Sequence, residues 1–253
     1  MKNYLVKGMH RIESTEWWEG KDRANEGDLY SLYTHMNELS KTSFYRFLEG
    51  DWSLINLVST AKSPSHVFRQ QFYALQDIWE NEPCNILYCG ADTQMIKPTK
   101  MFGAYEHFMM FNYTDPKCWG PVAHFLNADI RYFPSTMHPN LWIHGNSMIP
   151  QLDWWNGDQF LYNQMVWLQG LGHKEVIDPT MAYQCLDLQD GYSLNAFDEW
   201  NNCNIADAKI LHWHGSRNAE KKLLAMQDLE NQIAPSKPLQ SIEQQTIDIS
   251  KYD

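Results

Sequence analysis

The chain has 253 residues, of which 43% are hydrophobic and 20% are charged, and its formal net charge is −11. This composition indicates a globular protein with a core of its own, and it argues against a disordered or membrane-spanning chain. The acidic balance argues against nucleic acid as a partner, because binding to a phosphate backbone requires clustered Lys and Arg.

The N-terminal segment MKNYLVKGMHRIE is interrupted by Lys7 and followed by charged residues, so it lacks the apolar stretch of a signal peptide. No window approaches the ~18 apolar residues of a transmembrane helix. The five cysteines form an odd set without a CxxC spacing, which is typical of a reducing compartment. We therefore expect a cytoplasmic protein, from a bacterium or a virus-infected host cell, with no integral membrane segment.

The first part of the chain alternates strand and helix patterns. The predicted strands are Tyr4–Met9, Ser43–Phe47, Leu54–Val58 and Asn85–Cys89. Asp28 can cap one helix, and Pro64 opens another that ends before Pro83. The helix from Pro64 leads into an apolar strand, which is half of a βαβ unit.

The second part is richer in aromatic residues and loops. Its strand patterns are Val122–Leu126, Ile130–Phe133, Leu141–Ile143 and Ala208–Trp213, and its helical patterns are Asp158–Leu168 and Ala219–Ile233. The whole pattern predicts an α/β fold with a mostly parallel central sheet flanked by helices. We expect one domain over residues 1–233 and a C-terminal tail over residues 234–253, where Gln, Ser and Pro are frequent.

One carboxylate stands where ligands gather in such folds. Residues 86–98 read ILYCGADTQMIKP, so Asp92 directly follows the buried strand. Ligands of open α/β sheets bind outside the carboxyl ends of the strands. A solvated turn acid or a helix cap is the structural alternative for Asp92.

This stretch resembles the GT-A-fold glycosyltransferases, particularly the glycogenin-like and bacterial galactosyltransferase group, whose central strand ends in a pattern such as lYlDaDtlvikp. The match runs position by position from Leu87 to Pro98, except that the first Asp of the family's Asp-x-Asp is Gly90. The resemblance implies a GT-A fold and metal-assisted transfer from a nucleotide sugar. A phosphatase of the haloacid dehalogenase type also places acids after a parallel strand, but it needs a nucleophilic Asp where Gly90 stands.

A second stretch, KILHWHG at residues 209–215, is similar to the family's kIiHfhG. The resemblance implies that Asp92 and His212 bind the metal, Mn2+ with Mg2+ as the alternative, since a mixed oxygen and nitrogen set suits Mn2+ better than Ca2+. Arg217, Lys221 and Lys222 replace the family's usual Lys-Pro-Trp. The residues expected at the donor and its diphosphate are Tyr88, Ala91, Asp92, Gly215, Arg217 and Lys221.

The segment DQFLYN, which begins at Asp158, resembles the family's DQ..lN. This resemblance implies that Asp158 and Gln159 lie near the reaction centre; Asp153 is the rival carboxylate, and a helix N-cap is the structural alternative for Asp158. Trp154 and Trp155 are either an acceptor platform that stacks on a sugar or part of the core.

The function that these motifs predict is transfer of a sugar from a nucleoside-diphosphate donor, expected to be a UDP-sugar, to a hydroxyl of a carbohydrate or glycosylated acceptor. The spacing from His212 to Gly215 is similar to that of retaining family members. The alternative is a non-catalytic protein of the same fold that binds a sugar or a sugar nucleotide, because Gly90 supplies no carboxylate.

Overall fold

The computed structural model describes residues 1–13, 29–113, 126–153, 157–171, 178, 180–188, 191–192, 204–214, 219–233 and 242–252. In these ranges the main sheet has, in order across it, β10 (Gln244–Asp248), β2 (Ser53–Ala61), β1 (Lys2–Ile12), β3 (Cys84–Cys89), β6 (Leu126–Phe133) and β5 (Met109–Tyr113). A second sheet has the order β4 (Thr93–Met95), β9 (Ile210–His214), β7 (Ala182–Leu188) and β8 (Gly191–Tyr192). The helices of the same ranges are α1 (Leu29–Phe47), α2 (Pro64–Asn81), α3 (Asn140–Met148), α4 (Gly157–Leu168) and α5 (Ala219–Gln232).

The main sheet is mostly parallel. Strands β10, β2, β1 and β3 all run in the same direction, whereas β6 pairs antiparallel to β3, and β5 pairs antiparallel to β6. This arrangement confirms the predicted α/β class with a mostly parallel sheet flanked by helices. The reversal at β6 brings the start of that strand beside the carboxyl end of β3, which matters for the site.

Strand β3 is buried on both faces, as its apolar run from Ile86 to Cys89 predicted. Successive side chains of a strand point to opposite faces, so Ile86 packs into one core and Leu87 into another. The first core contains Phe72 of α2 and residues of α3 and α4, and the second contains Phe44 of α1. The sheet is therefore covered by α1 on one face and by α2, α3 and α4 on the other.

Two predicted strands are wrong, because both segments are helical. Ser43–Phe47 is the last part of α1, in which Met36, Ser40, Phe44 and Phe47 are all buried at helical spacing. Leu141–Ile143 lies in α3, which places Gly145 against the ring of Phe72. Short apolar runs fit a strand and a buried helix equally well, and the packing decides between them.

The segment expected to be a tail contributes a strand to the main sheet. Strand β10 pairs in parallel with β2, and the following residue Ile249 is fully buried and donates its N–H to the carbonyl of Val58 at 2.9 Å. The polar composition predicted a tail because β10 is an edge strand whose side chains are mostly exposed. Asp28 and residues 122–125 of the predicted strand Val122–Leu126 lie outside the described residues.

Helix α5 is held against the second sheet and α1. Arg46 of α1 forms a buried ion pair with Glu230 at 2.7 Å. The side chain of Gln94 on β4 bonds the carbonyl of Met226 at 3.0 Å and accepts from the Trp213 indole at 2.9 Å. These bonds fix the rotation of α5 about its axis and therefore which residues of its first turn face inward.

None of the helices in the described part of the chain is long and apolar enough to cross a bilayer.

Candidate active site

Asp92 lies between the two sheets. It follows β3 by three residues and directly precedes β4, and its carbonyl accepts a hydrogen bond from the N–H of Trp213 at 2.9 Å. Its carboxylate is 13% exposed, so it is a partly enclosed acid with a fixed backbone. The alternatives of a solvated turn acid or a helix cap do not describe this environment.

His212 is the second predicted residue at this place. It lies on β9 opposite Thr93, its side chain is fully buried, and its Nε2 is 3.6 Å from Oδ1 of Asp92. The structure therefore brings together the two residues that the sequence assigned to a metal. They meet because β4, the strand that continues from Asp92, pairs with β9.

Asp129 is a third member of this cluster, and the sequence analysis did not identify it. Its Oδ2 lies 3.1 Å from Nε2 of His212, and one ligand atom each of Asp92, Asp129 and His212 lies within 4.8 Å of the others. Asp129 belongs to β6, whose start lies beside the end of β3 because the two strands are antiparallel. The only signal in the sequence is an acid inside the strand LNADIRYF, and this signal carries no information about the neighbouring strand.

Lys222 places a positive charge at the same carboxylate. Its side chain is 3% exposed, and its Nζ lies 2.6 Å from Oδ2 of Asp92. Burial by itself would raise the pKa of Asp92, but the charges of Lys222 and His212 outweigh it, so the pKa of Asp92 is lowered. Asp92 is therefore ionised at neutral pH, with Oδ2 facing Lys222 and Oδ1 facing His212.

The sequence pointed to Lys221 rather than Lys222. Lys221 is exposed, whereas its neighbour on α5 points inward. Successive residues of a helix are about 100° apart around its axis, so only one of the two can face Asp92. The contacts of α5 with α1 and β4 decide which one it is.

Lys7 holds the loop from Gly90 to Thr93 in place. This residue of β1 is fully buried, and its Nζ donates to the hydroxyl of Ser40, to the carbonyl of Gly90 at 2.7 Å and to the hydroxyl of Thr93 at 3.3 Å. Burial lowers the pKa of Lys7 to about 8. The backbone that precedes Asp92 is thus held by a buried cation.

A second group of charges lies at the start of α4. The guanidinium carbon of Arg131 lies 4.0 Å from the ring centroid of Tyr88 and 4.1 Å from that of Tyr162. Burial raises the pKa of Asp158 to about 7, although the Arg131 charge opposes this rise, and the charge of Asp129 adds to it. Asp158 is therefore electrostatically coupled to both Arg131 and the cluster around Asp92.

Asn163 holds α4 against β6. Its amide side chain donates to the carbonyl of Leu126 at 2.8 Å and accepts from the N–H of the same residue at 2.9 Å. Gln159, one turn earlier, is buried. This pair of bonds explains why the predicted Asp158–Gln159 segment lies near the strand that carries Asp129.

The remaining predicted site residues fall into three groups. Tyr88 and Ala91 are buried next to the cluster, Tyr88 beneath the guanidinium of Arg131. Asp153 is exposed, and no contact of its carboxylate with the cluster around Asp92 is seen among the described residues. Trp154, Trp155, Gly215 and Arg217 lie outside the described residues.

The cluster of Asp92, Asp129 and His212 has the donor set of a divalent-cation site. Two carboxylates and one imidazole fit Mn2+ and related ions better than Ca2+, which prefers a shell of oxygen ligands. The three donors come from a loop, from β6 and from β9, so they are rigidly placed by the two sheets. These residues can supply three ligands to such an ion, which leaves coordination positions for the oxygen atoms of a bound molecule.

No protein-family model and no curated protein matches this sequence. Among solved structures, the chain is similar to a glycosyltransferase involved in the glycosylation of the major capsid of PBCV-1. The alignment covers 90% of this chain and 100% of that chain, with 12% sequence identity and a TM-score of 0.49. A similarity of this size gives no information about activity. Inferences about function therefore depend on the residues of the site.

Proposed function

We propose that this protein is a glycosyltransferase of the GT-A type that transfers a sugar from a nucleoside-diphosphate donor, a UDP-sugar, to an acceptor hydroxyl with the help of a divalent metal. The observation that carries the proposal is the cluster of Asp92, Asp129 and His212 at the carboxyl end of β3. Ligands of α/β sheets bind at this end. The motifs around Asp92 and His212 were also the ones that resembled this class.

Sugar transfer requires positive charge near the departing diphosphate. A Mn2+ or Mg2+ ion held by Asp92, Asp129 and His212 would neutralise the departing nucleoside diphosphate. Lys222 adds a second positive charge, because its Nζ is already fixed 2.6 Å from Asp92. We assign Lys222 the role that the sequence suggested for Lys221. Gly215 and Arg217 remain predicted contacts of the diphosphate.

Asp158 and Gln159 are the proposed residues at the reacting sugar. A carboxyl whose pKa is raised to about 7 by burial can exist in both protonation states near neutral pH. Such a group can hold the proton of an attacking hydroxyl or a hydrogen bond to the sugar. Asp153 stays the rival carboxylate, and Trp154 and Trp155 stay the predicted acceptor platform. Retention of configuration and a cytoplasmic location also remain predictions.

The alternative function is binding of a sugar nucleotide without turnover. A panel of UDP-sugars with simple sugar acceptors, in the presence of Mn2+ or of EDTA, separates the two functions when binding and release of UDP are both measured. We expect release of UDP that requires Mn2+ and is lost in Asp92→Asn. Tight binding with no release for any acceptor would favour the alternative, and no binding at all would contradict both.

A further inference from the structure

Gly90 and Asp129 face each other across the junction of β3 and β6. The N–H of Gly90 donates to the carbonyl of Asp129 at 2.8 Å, directly beyond the antiparallel pair of Cys89 and Ile130. Both residues therefore border the same small volume next to Asp92.

The carboxylates of Asp129 and Asp92 border the side-chain space of residue 90 closely. A Cβ added to Gly90 would lie 3.1 Å from Oδ1 of Asp129, 3.2 Å from Oδ1 of Asp92 and 3.4 Å from Cβ of Asp129. The two distances to carboxylate oxygens are tighter than ordinary van der Waals contact for a Cβ, and the distance to Cβ of Asp129 is at its lower limit. A side chain at position 90 would therefore require a neighbouring carboxylate to shift by at least a few tenths of an ångström.

The carboxylate of Asp129 also has the position of a metal ligand. It reaches His212 at 3.1 Å and completes a set of two oxygens and one nitrogen with Asp92. Its side chain is 43% exposed, so a ligand can reach it from solvent. The acid that is missing after β3 is thus present on the neighbouring strand.

We infer that Asp129 supplies the second metal-binding carboxylate of this site, and that Gly90 is required because it leaves room for that carboxylate. The inference rests on the proposed function in assuming a divalent metal at Asp92 and His212. It implies that a carboxylate at position 90 with a glycine at position 129 is an equivalent solution. The two positions would then be interchangeable as a pair but not singly.

The test measures Mn2+ binding to the full chain without nucleotide or sugar, by calorimetry and by the spin-resonance signal of free Mn2+. The variants are D129N, D129G, G90D and the double variant G90D/D129G. D51N is the matched control, because it removes the same charge from an exposed turn. Circular dichroism and urea unfolding in EDTA verify that each variant is folded.

We expect D129N and D129G to bind Mn2+ at least about tenfold more weakly than the wild type, since loss of a ligand costs at least as much as loss of an outer-shell partner. D51N should bind like the wild type. G90D should not bind more tightly than the wild type and should unfold at lower urea concentration, because its carboxylate enters occupied space. The double variant should recover the affinity lost in D129G.

Equal Mn2+ affinity of D129N and the wild type would overturn the role of Asp129. A double variant no tighter than D129G would overturn the exchange of positions. These results are independent of catalysis: a chain that binds Mn2+ in the expected pattern but transfers no sugar loses the proposed function and keeps this inference. Sugar transfer by the wild type together with unchanged Mn2+ binding by D129N would support transferase activity and would overturn this inference.

Discussion

Lys221 and Lys222 are adjacent residues with different surroundings. Lys222 is buried against Asp92, and Lys221 is exposed. The pair offers a comparison in which the residue type and the helix position are nearly the same. A larger loss of stability at Lys222 than at Lys221 therefore reports on the buried contacts of Lys222, which include the ion pair with Asp92.

We expect Lys222→Met to lower the free energy of unfolding by about 3 kcal/mol in EDTA, because removal of one partner leaves the other buried charge without compensation. Mn2+ should restore part of this loss, since the metal supplies positive charge to the same carboxylate. Lys221→Met should change stability by no more than about 0.5 kcal/mol. Urea unfolding with and without Mn2+ measures these effects, and equal losses in the two variants would contradict the assignment of Lys222.

Asp158 makes the stability of the fold depend on pH. Burial raises the pKa of Asp158 from the usual value of a carboxyl to about 7 in the folded chain. Between about pH 4 and pH 7 the folded chain therefore binds a proton that the unfolded chain has released, so stability falls as the pH rises through this window. Below the pKa that Asp158 has in the unfolded chain, both states bind the proton, and the stability that protonated Asp158 contributes is fully present.

Asp158→Asn should remove this dependence while the side chain keeps its size and its ability to accept hydrogen bonds from the first N–H groups of α4. The difference in the free energy of unfolding between the variant and the wild type should change by on the order of 2 kcal/mol between about pH 4 and pH 8, in favour of the variant at high pH. Urea unfolding at several pH values measures it. Parallel stability curves for the two proteins would show that Asp158 is ionised without cost.

At the scale of elements, helix α3 depends on one glycine. A Cβ on Gly145 would lie 2.3 Å from Cζ and 2.6 Å from Cε2 of Phe72, and the Phe72 ring also packs edge-on against Trp142. The helix and the α2 side of the core therefore approach each other more closely than any side chain at position 145 allows. This contact fixes α3 against α2.

Gly145→Ala should destabilise the protein by about 1–3 kcal/mol through overpacking. In an unconstrained helix the same change stabilises by up to about 1 kcal/mol, so even the sign of the effect is diagnostic. Phe72→Leu removes the part of the ring that collides, and the double variant should be more stable than the sum of the two single effects by at least about 1 kcal/mol. Additive effects in thermal unfolding would show that the two elements can shift apart.

The direction of β6 determines where Asp129 lies. Antiparallel pairing with β3 brings Asp129 next to Gly90. If β6 ran parallel to β3, the start of β6 would lie beside the start of β3, at the other end of the strands. The alternation of apolar residues in β6 is the same in both directions. For this reason the third member of the metal cluster follows from the sheet topology and not from a motif.

For the whole molecule, the candidate metal ties together the two sheets. Asp92 stands between them, Asp129 belongs to the main sheet and His212 to the second sheet. The three donors are held within 4.8 Å of one another only when both sheets are formed. Metal binding should therefore be coupled to the global stability of the fold.

We expect Mn2+ at a hundredfold excess over its dissociation constant to raise the free energy of unfolding by about 2.7 kcal/mol, as linkage requires for a ligand that binds only the folded chain. EDTA should reverse the effect, and Asp92→Asn should abolish it. The D51N variant described above should respond like the wild type. An unfolding curve of the wild type that does not shift with Mn2+ would contradict the metal site.

The meeting of Asp92 with His212 was implied by the resemblance of their two motifs to a known family. Local patterns in the sequence predicted the α/β class, the helices that begin at Pro64 and near Asp158, and the buried strand before Asp92. These features depend on spacing along the chain, because the periodicity of apolar residues and the position of an acid after a strand are local properties. The same patterns failed at Ser43–Phe47 and Leu141–Ile143. A short apolar run does not distinguish a strand from a buried helix.

Tertiary contacts, and no local pattern, explain why β10 joins the sheet, why Lys222 rather than Lys221 faces Asp92, and why Asp129 lies beside Gly90. Each of these depends on how distant segments pair or pack: an edge strand against β2, a helix rotation set by α1 and β4, and the reversed direction of β6. Two motifs in the sequence pointed to one half of the candidate site, the acid and the imidazole, through their resemblance to a known family. The fold supplied the second carboxylate and the lysine, because their partners are distant in sequence and adjacent only in space.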